Sequence, residues 1–149
     1  MTGLTRKCQY ALGALYFLAR EYGNGPVLLP RICAQTHAPE EFLHTILLEL
    51  KNAGLVESRR GPQGGYSLLA PPDQVTVGLV VRIIDGPLVT SPCLSQPDNR
   101  SCSRCPQPGN CLTRLLMSEV RDTVTAIMDG TTILAGAKCA AKPTATRTA

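Results

Sequence analysis

Aromatic residues and histidines are scarce in this chain, which has no tryptophan, four tyrosines, two phenylalanines and two histidines among 149 residues. The core must therefore be built mainly from Leu, Val, Ile and Ala. His37 and His44 are the only histidines, and they suggest no Ser-His-Asp arrangement for nucleophilic catalysis. A metal hydrolase or a small thiol oxidoreductase is accordingly disfavoured.

Long hydrophobic runs are also missing, since none reaches the roughly 18–20 residues that a membrane-spanning helix needs. The first apolar stretch, YALGALYFLA, leads into Arg20 and Glu21 without the small-residue cleavage site of a signal peptide. We therefore expect a cytoplasmic protein without membrane contact. That compartment is reducing and the cysteine count is odd, at seven, so disulfide bonds are not expected.

Neither sign of charge dominates the sequence. Lys and Arg number 15 against 11 Asp and Glu, which gives a formal net charge of +4 and an isoelectric point of about 8.8. This balance is compatible with a polyanionic partner but is too small to demonstrate one. The length favours one domain, or one domain with an appended element.

Apolar residues recur with helical spacing in several segments, and two short segments read as strands. The predicted helices are Thr5–Tyr22, Pro30–Thr36, Pro39 to about Gly54, Thr76–Asp85 and about 111–129, and the predicted strands are Val56–Ser58 and Tyr66–Leu69. Two short helices joined by a tight connection and followed by a β-hairpin are typical of a winged helix-turn-helix. The predicted fold class is mainly α with a small β-hairpin wing.

The chain divides into four predicted parts. These are a winged helix-turn-helix domain at 1–86, a cysteine-rich loop at 87–110, a dimerisation helix at 111–135 and a disordered tail at 136–149. The apolar stripe of the long C-terminal helix comprises Leu112, Leu115, Leu116, Val120, Val124, Ile127 and Met128. That stripe would be buried best against a second copy of the chain, which predicts a homodimer.

The helix that starts at Pro39 is the predicted reader of the DNA major groove. Its outward residues are Glu41, His44, Thr45 and Lys51. His44 and Thr45 can exchange hydrogen bonds with base edges, and Glu41 can accept one from a cytosine amino group. The alternative for the acidic residues at its start is that they complement the helix dipole.

The predicted wing carries two adjacent arginines and three glycines. Arg59 and Arg60 are placed to bind phosphates or a narrow minor groove. Gly61, Gly64 and Gly65 would let the backbone come close to DNA. The alternative is a solvent-exposed hairpin whose glycines serve only the turn.

The run FLHTILLELKNAGLVESRRGPQGGYSLLAPPDQVTVGLVVRIIDGPL resembles the IscR/NsrR/CymR-type family of winged helix-turn-helix regulators. LTRKCQYALGAL is similar to the opening helix of that family, and CLTRLL to the start of its dimer helix. The resemblance covers roughly residues 4–130, and the wing motif is its most specific part. It implies a dimeric regulator, in many members a repressor, that binds promoter operators in double-stranded DNA and often senses through an iron–sulfur cluster.

Four cysteines lie in or next to the predicted loop, at positions 93, 102, 105 and 111. Thiolates suit zinc as well as iron–sulfur clusters, and Cys93, Cys102, Cys105 and Cys111 could wrap one metal centre. The second C-x2-C knuckle of a zinc ribbon is missing. Arg100 and Arg104 would lower the thiol pKa values and offset the charge of an anionic cluster.

The family resemblance implies a narrower ligand set, in which three cysteines bind the cluster and the last two are often five residues apart. This pattern corresponds to Cys93, Cys105 and Cys111, leaving Cys102 as a replacement, fourth or spare ligand. Some members take the fourth ligand from a carboxylate in the first helix, where this chain has Gln9. Cys8, beside it, lies on the apolar face and is interpreted as a core thiol. The resemblance favours a 2Fe–2S over a 4Fe–4S cluster.

The leading hypothesis is thus a transcriptional regulator that senses redox state, nitric oxide or iron and cluster status. A regulator of the same fold that binds zinc or no metal and responds through its thiols is the alternative. A thiol oxidoreductase fits less well, because C-S-R-C does not follow a βαβ unit. A ferredoxin-like electron carrier would have no use for an arginine wing.

Overall fold

The computed structural model describes residues 4–87 and 111–140. Its elements in chain order are α1 (Arg6–Arg20), α2 (Leu29–Thr36), α3 (Glu40–Asn52), β1 (Val56–Arg59), β2 (Gly65–Leu68), α4 (Val77–Ile84), α5 (Leu112–Gly130) and α6 (Ile133–Ala140). Six helices and one antiparallel hairpin in the described ranges confirm the predicted fold class. No helix in these ranges is long and apolar enough to cross a membrane.

Helix α1 is the central element of the core. The Thr5 hydroxyl caps its N-terminus by accepting a hydrogen bond from the Cys8 N–H at 3.2 Å. Its buried face contacts α2, α3, α4, β2 and α6. The residues buried on that face include Cys8, Ala11, Leu12, Leu15, Leu18 and Ala19. Tyr22, the last residue of the predicted helix, is exposed because the helix ends at Arg20.

Helices α2 and α3 form the predicted helix-turn-helix. His37 ends α2 in the left-handed conformation with a φ of 53°, which turns the chain sharply before Pro39 at the N-cap of α3. One face of α3 is fully buried against α1 and α2, through Leu43, Ile46, Leu47 and Leu50. The opposite face of α3 is left to solvent.

The hairpin is anchored to the helical core by a third segment. Strands β1 and β2 pair from Val56 opposite Leu68 to Arg59 opposite Gly65. Val27 and Tyr66 exchange two backbone hydrogen bonds of 2.8 Å, so that the segment between α1 and α2 pairs with β2. The base of the wing is therefore tied to the segment that leads into α2.

The C-terminal region returns to the first domain, and residues 136–140, which were predicted to belong to a disordered tail, lie in a helix. Helix α5 ends at Gly130, Thr132 then pairs with Thr76, and α6 packs on α1 with Ile133 and Ala137 buried. A Cβ added at Gly136 would lie 2.3 Å from the Tyr16 ring, so a small residue permits this close packing. Residues 136–140 are therefore helical, and the helix predicted over 111–135 is two helices.

Candidate nucleic-acid interface and cysteine sites

The solvent face of α3 carries all four residues predicted to face DNA. Glu41, His44, Thr45 and Lys51 are exposed, on the side opposite the buried leucines and isoleucine. Leu48 is exposed on the same face and was missed by sequence reasoning, which assigned polar residues to DNA and leucines to the core. Its spacing of three from Thr45 and four from His44 would have placed it there.

The Thr45 hydroxyl already has a hydrogen-bond partner within α3. It donates a hydrogen bond to the carbonyl oxygen of Glu41 at 3.1 Å, one turn earlier in α3. The donor is therefore used inside the helix. Thr45 offers a base edge only the hydroxyl lone pairs and a methyl group.

A cleft of about 550 Å³ lies beside the N-terminal part of α3, lined by Leu29, Glu40, Glu41 and His44. Glu40 and Glu41 fall in the first turn of α3, where negative charge stabilises the helix N-terminus. The same carboxylates repel the phosphates of DNA. A favourable contact of DNA with these carboxylates therefore requires a hydrogen-bond donor on a base, such as the amino group of cytosine.

The end of α3 is tied to the wing by a side-chain hydrogen bond. Lys51 Nζ donates to Ser58 Oγ on β1 at 2.6 Å, and both residues are exposed. Lys51 therefore brings positive charge to the junction between α3 and the hairpin.

The arginines of the wing are exposed, whereas two of its glycines lie close to the protein's own backbone. Arg59 and Arg60 are exposed where β1 runs into the turn, and Gly61 has a φ of 111° in open space. Gly64 is buried, and a Cβ there would lie 2.2 Å from the Arg59 carbonyl oxygen. At Gly65 it would lie 2.3 Å from the Val27 carbonyl oxygen. Gly64 therefore permits the close approach of the turn to the Arg59 carbonyl group, and Gly65 is required by the anchoring of the hairpin. The approach of these glycines to DNA stays a prediction.

Of the four predicted metal ligands, only Cys111 lies among the described residues. It is the partly buried N-cap of α5, and Cys93, Cys102 and Cys105 fall outside the described ranges. Residues 4–87 and 111–140 contain no group of three or more His, Cys, Asp or Glu side chains that could hold a metal ion. In the predicted ligand set, Cys111 would therefore be joined by ligands that lie outside the described ranges.

The two candidates in the first helix are poor metal ligands. Cys8 is fully buried in the core, which confirms its interpretation as a core thiol, and Gln9 Nε2 donates to the Leu4 carbonyl oxygen at 3.0 Å. Burial, with the adjacent Asp85 carboxylate, raises the pKa of the Cys8 thiol to about 11. Cys8 is thus a neutral thiol at physiological pH, whereas metals bind thiolates.

The raised pKa of Cys8 predicts a loss of stability in alkali. The folded state favours the neutral thiol, so its contribution is complete below the ordinary pKa of 9.0 and is lost as the pH rises towards 11. We expect the free energy of unfolding in urea to fall more steeply above pH 9 in the wild type than in Cys8→Ala. Parallel curves for the two proteins between pH 7 and 10.5 would contradict this assignment.

Helix α5 exposes the apolar stripe that was predicted for it. None of its described residues is buried, and its largest exposed apolar side chains are Leu112, Leu115, Leu116 and Ile127. At the other end of α5, Arg82 of α4 binds Asp129 through two hydrogen bonds of 2.7 Å. A Cβ at Gly78 would clash with the Asp129 carboxylate, so a glycine on α4 makes room for this ion pair.

Comparison with known proteins identifies relatives along nearly the whole chain. The model of the Rrf2 family, described as an iron-dependent transcriptional regulator, matches residues 4–135. A putative HTH-type transcriptional regulator, rrf2-like, of Rhodobacter capsulatus is 38% identical over 87% of this chain and 89% of its own. The HTH-type transcriptional regulator CymR of Bacillus subtilis is 33% identical over 87% of this chain and 86% of its own.

Solved structures agree with these relatives. The structure of CymR, the global cysteine regulator of B. subtilis, superposes with a TM-score of 0.78 at 31% identity, covering 93% of this chain and 98% of that protein. The structure of IscR from T. potens superposes with a TM-score of 0.72 at 26% identity, covering 99% of this chain and 93% of that protein.

Proposed function

Because this chain belongs to the Rrf2 family of transcriptional regulators, we propose that it is a homodimeric, cytoplasmic regulator that binds promoter DNA. In particular, we propose a repressor whose affinity for DNA depends on the state of an iron–sulfur cluster. It is a DNA-binding regulator and not an enzyme. The exposed face of α3 and the arginines of the adjoining wing carry the DNA-binding part of the proposal.

DNA binding uses two surfaces in this proposal. Helix α3 enters the major groove, where His44 and Glu41 meet base edges, and Arg59 and Arg60 bind phosphates beside it. The Lys51–Ser58 hydrogen bond links α3 to β1 of the wing. The pairing of Val27 with Tyr66 attaches β2 of the wing to the segment before α2. A two-fold dimer would then read half-sites about 34–36 Å apart, or a multiple of that distance.

The second subunit covers the apolar stripe of α5. A fully buried Leu or Ile contributes roughly 1.5–3 kcal/mol, so a stripe of four exposed side chains and their neighbours is a substantial driving force. The Arg82–Asp129 ion pair joins the end of α5 to α4, so that the dimer helix is attached directly to the DNA-binding domain.

Cys93, Cys105 and Cys111 would hold the cluster, with Cys102 as the fourth ligand. Thiolates suit iron–sulfur clusters, and Cys111 lies at the N-cap of α5, next to the predicted loop. We favour 2Fe–2S over 4Fe–4S. When bound, the cluster would supply a centre that responds to oxidation, nitric oxide or iron supply.

The loop joins the DNA-binding domain at one end and the dimer helix at the other. It begins just after Asp85, whose carboxylate accepts hydrogen bonds from the Thr5 N–H at 3.0 Å and from the Thr5 hydroxyl. It ends at Cys111, where α5 begins. A rearrangement of the loop would therefore act on the start of α1 and on the dimer helix at the same time. In this way a local change in the loop would shift the protein between two conformations.

A wing substitution tests the DNA-binding part. We expect Arg60→Ala to weaken binding to promoter DNA about tenfold, as for a lost charge-assisted hydrogen bond, and to reduce the salt dependence by about one phosphate contact. The measurement is the dissociation constant at several salt concentrations. Lys138→Ala removes the same charge from α6 and should change neither value. An Arg60→Ala protein with wild-type affinity and salt slope would show that the wing does not contact phosphate.

The second candidate is a regulator of the same fold that responds through its thiols with zinc or no metal bound. The similarity to CymR, a global cysteine regulator, favours it. Iron and acid-labile sulfide in anaerobically purified protein distinguish the two candidates, since this alternative requires neither.

A further inference from the structure

The proposed DNA face of α3 has a leucine at its centre. Leu48 lies three residues after Thr45, four after His44 and seven after Glu41, which places these side chains on one stripe of the helix. Its side chain is 47% exposed, while the buried residues of α3 lie on the opposite side. Leu48 is thus an apolar group in the middle of a polar surface.

Thr45 extends this apolar spot along the helix. Its hydroxyl donates to the Glu41 carbonyl oxygen, so the methyl group is a main part of the exposed Thr45 surface. Residues three apart on a helix are neighbours, and the Thr45 methyl and Leu48 therefore cover about one turn of the α3 surface.

The surroundings of Leu48 do not fit a protein-docking surface. Exposed polar residues lie near it on the same face of α3, among them His44 and Lys51. The extended apolar surface for a second subunit is on another element, α5. A single leucine among polar groups is too small a patch to hold a protein partner.

DNA offers one apolar group on the base edges of the major groove, the 5-methyl group of thymine. We infer that Leu48, together with the Thr45 methyl group, is a specificity-determining contact that reads thymine methyl groups in the operator. This inference rests on the proposed entry of α3 into the major groove. His44 and Glu41 read hydrogen-bonding groups on the bases. Leu48 adds an apolar contact with thymine methyl groups at neighbouring base pairs.

A chemical double-mutant cycle tests the inference. Duplexes are first selected from a random-sequence pool with the full-length protein, both as purified anaerobically and after iron removal. Each thymine of the selected site is then replaced by deoxyuridine, which lacks only the methyl group. The wild type should bind at least one such duplex about fourfold more weakly, as expected for one buried methyl group.

The Leu48→Ala protein should bind thymine and uracil duplexes equally at that position, and it should bind the thymine duplex about as weakly as the wild type binds the uracil duplex. Leu48→Met should restore the preference. Leu69→Ala, which truncates a leucine that is 58% exposed outside α3, should keep the wild-type ratio.

The outcomes separate this inference from the proposed function. Tight wild-type binding with no difference between thymine and uracil at any position would overturn the inference and leave DNA binding intact. An equal loss for Leu48→Ala on both duplexes would also overturn it, because the contact would then be to sugar or phosphate. Failure of both protein preparations to select any duplex would overturn the inference and the proposed function together.

Discussion

Replacing Leu116 with glutamate is expected to convert the protein from a dimer into a monomer and to weaken operator binding by about 100-fold or more. Leu116 is 58% exposed on α5, within the stripe that the second subunit is proposed to cover. A glutamate there would bury an unpaired charge in an apolar interface. The monomer would bind one half-site and lose the benefit of binding two half-sites at once.

The molar mass in solution measures the first effect directly. The wild type should have twice the mass of the 15.9 kDa chain, and Leu116→Glu should have the mass of a single chain. Leu69→Glu is a matched control, because it introduces the same charge at a leucine that is also 58% exposed but lies outside α5. A dimeric Leu116→Glu protein would show that subunits associate elsewhere, and a monomeric wild type would remove the dimer from the proposal.

The second large effect is expected at the cysteines. Cys93→Ala, Cys105→Ala and Cys111→Ala should each abolish the visible absorption of anaerobically purified protein and reduce its iron and acid-labile sulfide to near zero. The reason is that a cluster which loses one of its thiolates is incompletely ligated. Cys139→Ala is the control, since Cys139 is exposed on α6, and it should retain full iron.

The same series assigns the remaining cysteine. Loss of iron in Cys102→Ala would make Cys102 the fourth ligand, and full iron would make it a spare thiol. Wild-type iron content in any of the other three loop variants would remove that residue from the ligand set. A colourless wild type that holds zinc through these cysteines would favour the thiol-responsive alternative.

The helices with strong apolar spacing could be predicted closely from the sequence. Leu43, Ile46, Leu47 and Leu50 define the buried side of α3 without ambiguity, and Thr5 and Gly54 mark helix boundaries near those observed. Helix α6 could not be predicted, because its contact with α1 depends on small residues such as Gly136 and Ala137. Such residues give a weak hydrophobic pattern and are recognised only when the neighbouring helix is known.

The candidate site shows a similar division. The residues exposed on α3 follow from helical periodicity, but the engagement of the Thr45 hydroxyl by Glu41 depends on a rotamer that the sequence does not specify. The roles of Gly64 and Gly65 depend on the backbone of Arg59 and Val27, and Val27 is distant in sequence from the wing. The sequence indicated that glycine is needed at these positions. The close contacts that the structure shows for them are with the protein's own backbone.

The measurement that tests the central claim most directly is the operator affinity of one anaerobic preparation before and after its iron is removed. The proposal predicts that the dissociation constant changes by about 5- to 150-fold in one direction, which is the range of a typical coupling between two sites. The dimer mass should be checked in both states, so that the change reflects DNA affinity. Equal dissociation constants for the iron-loaded and iron-free protein would contradict the claim that the cysteine loop controls the DNA reader.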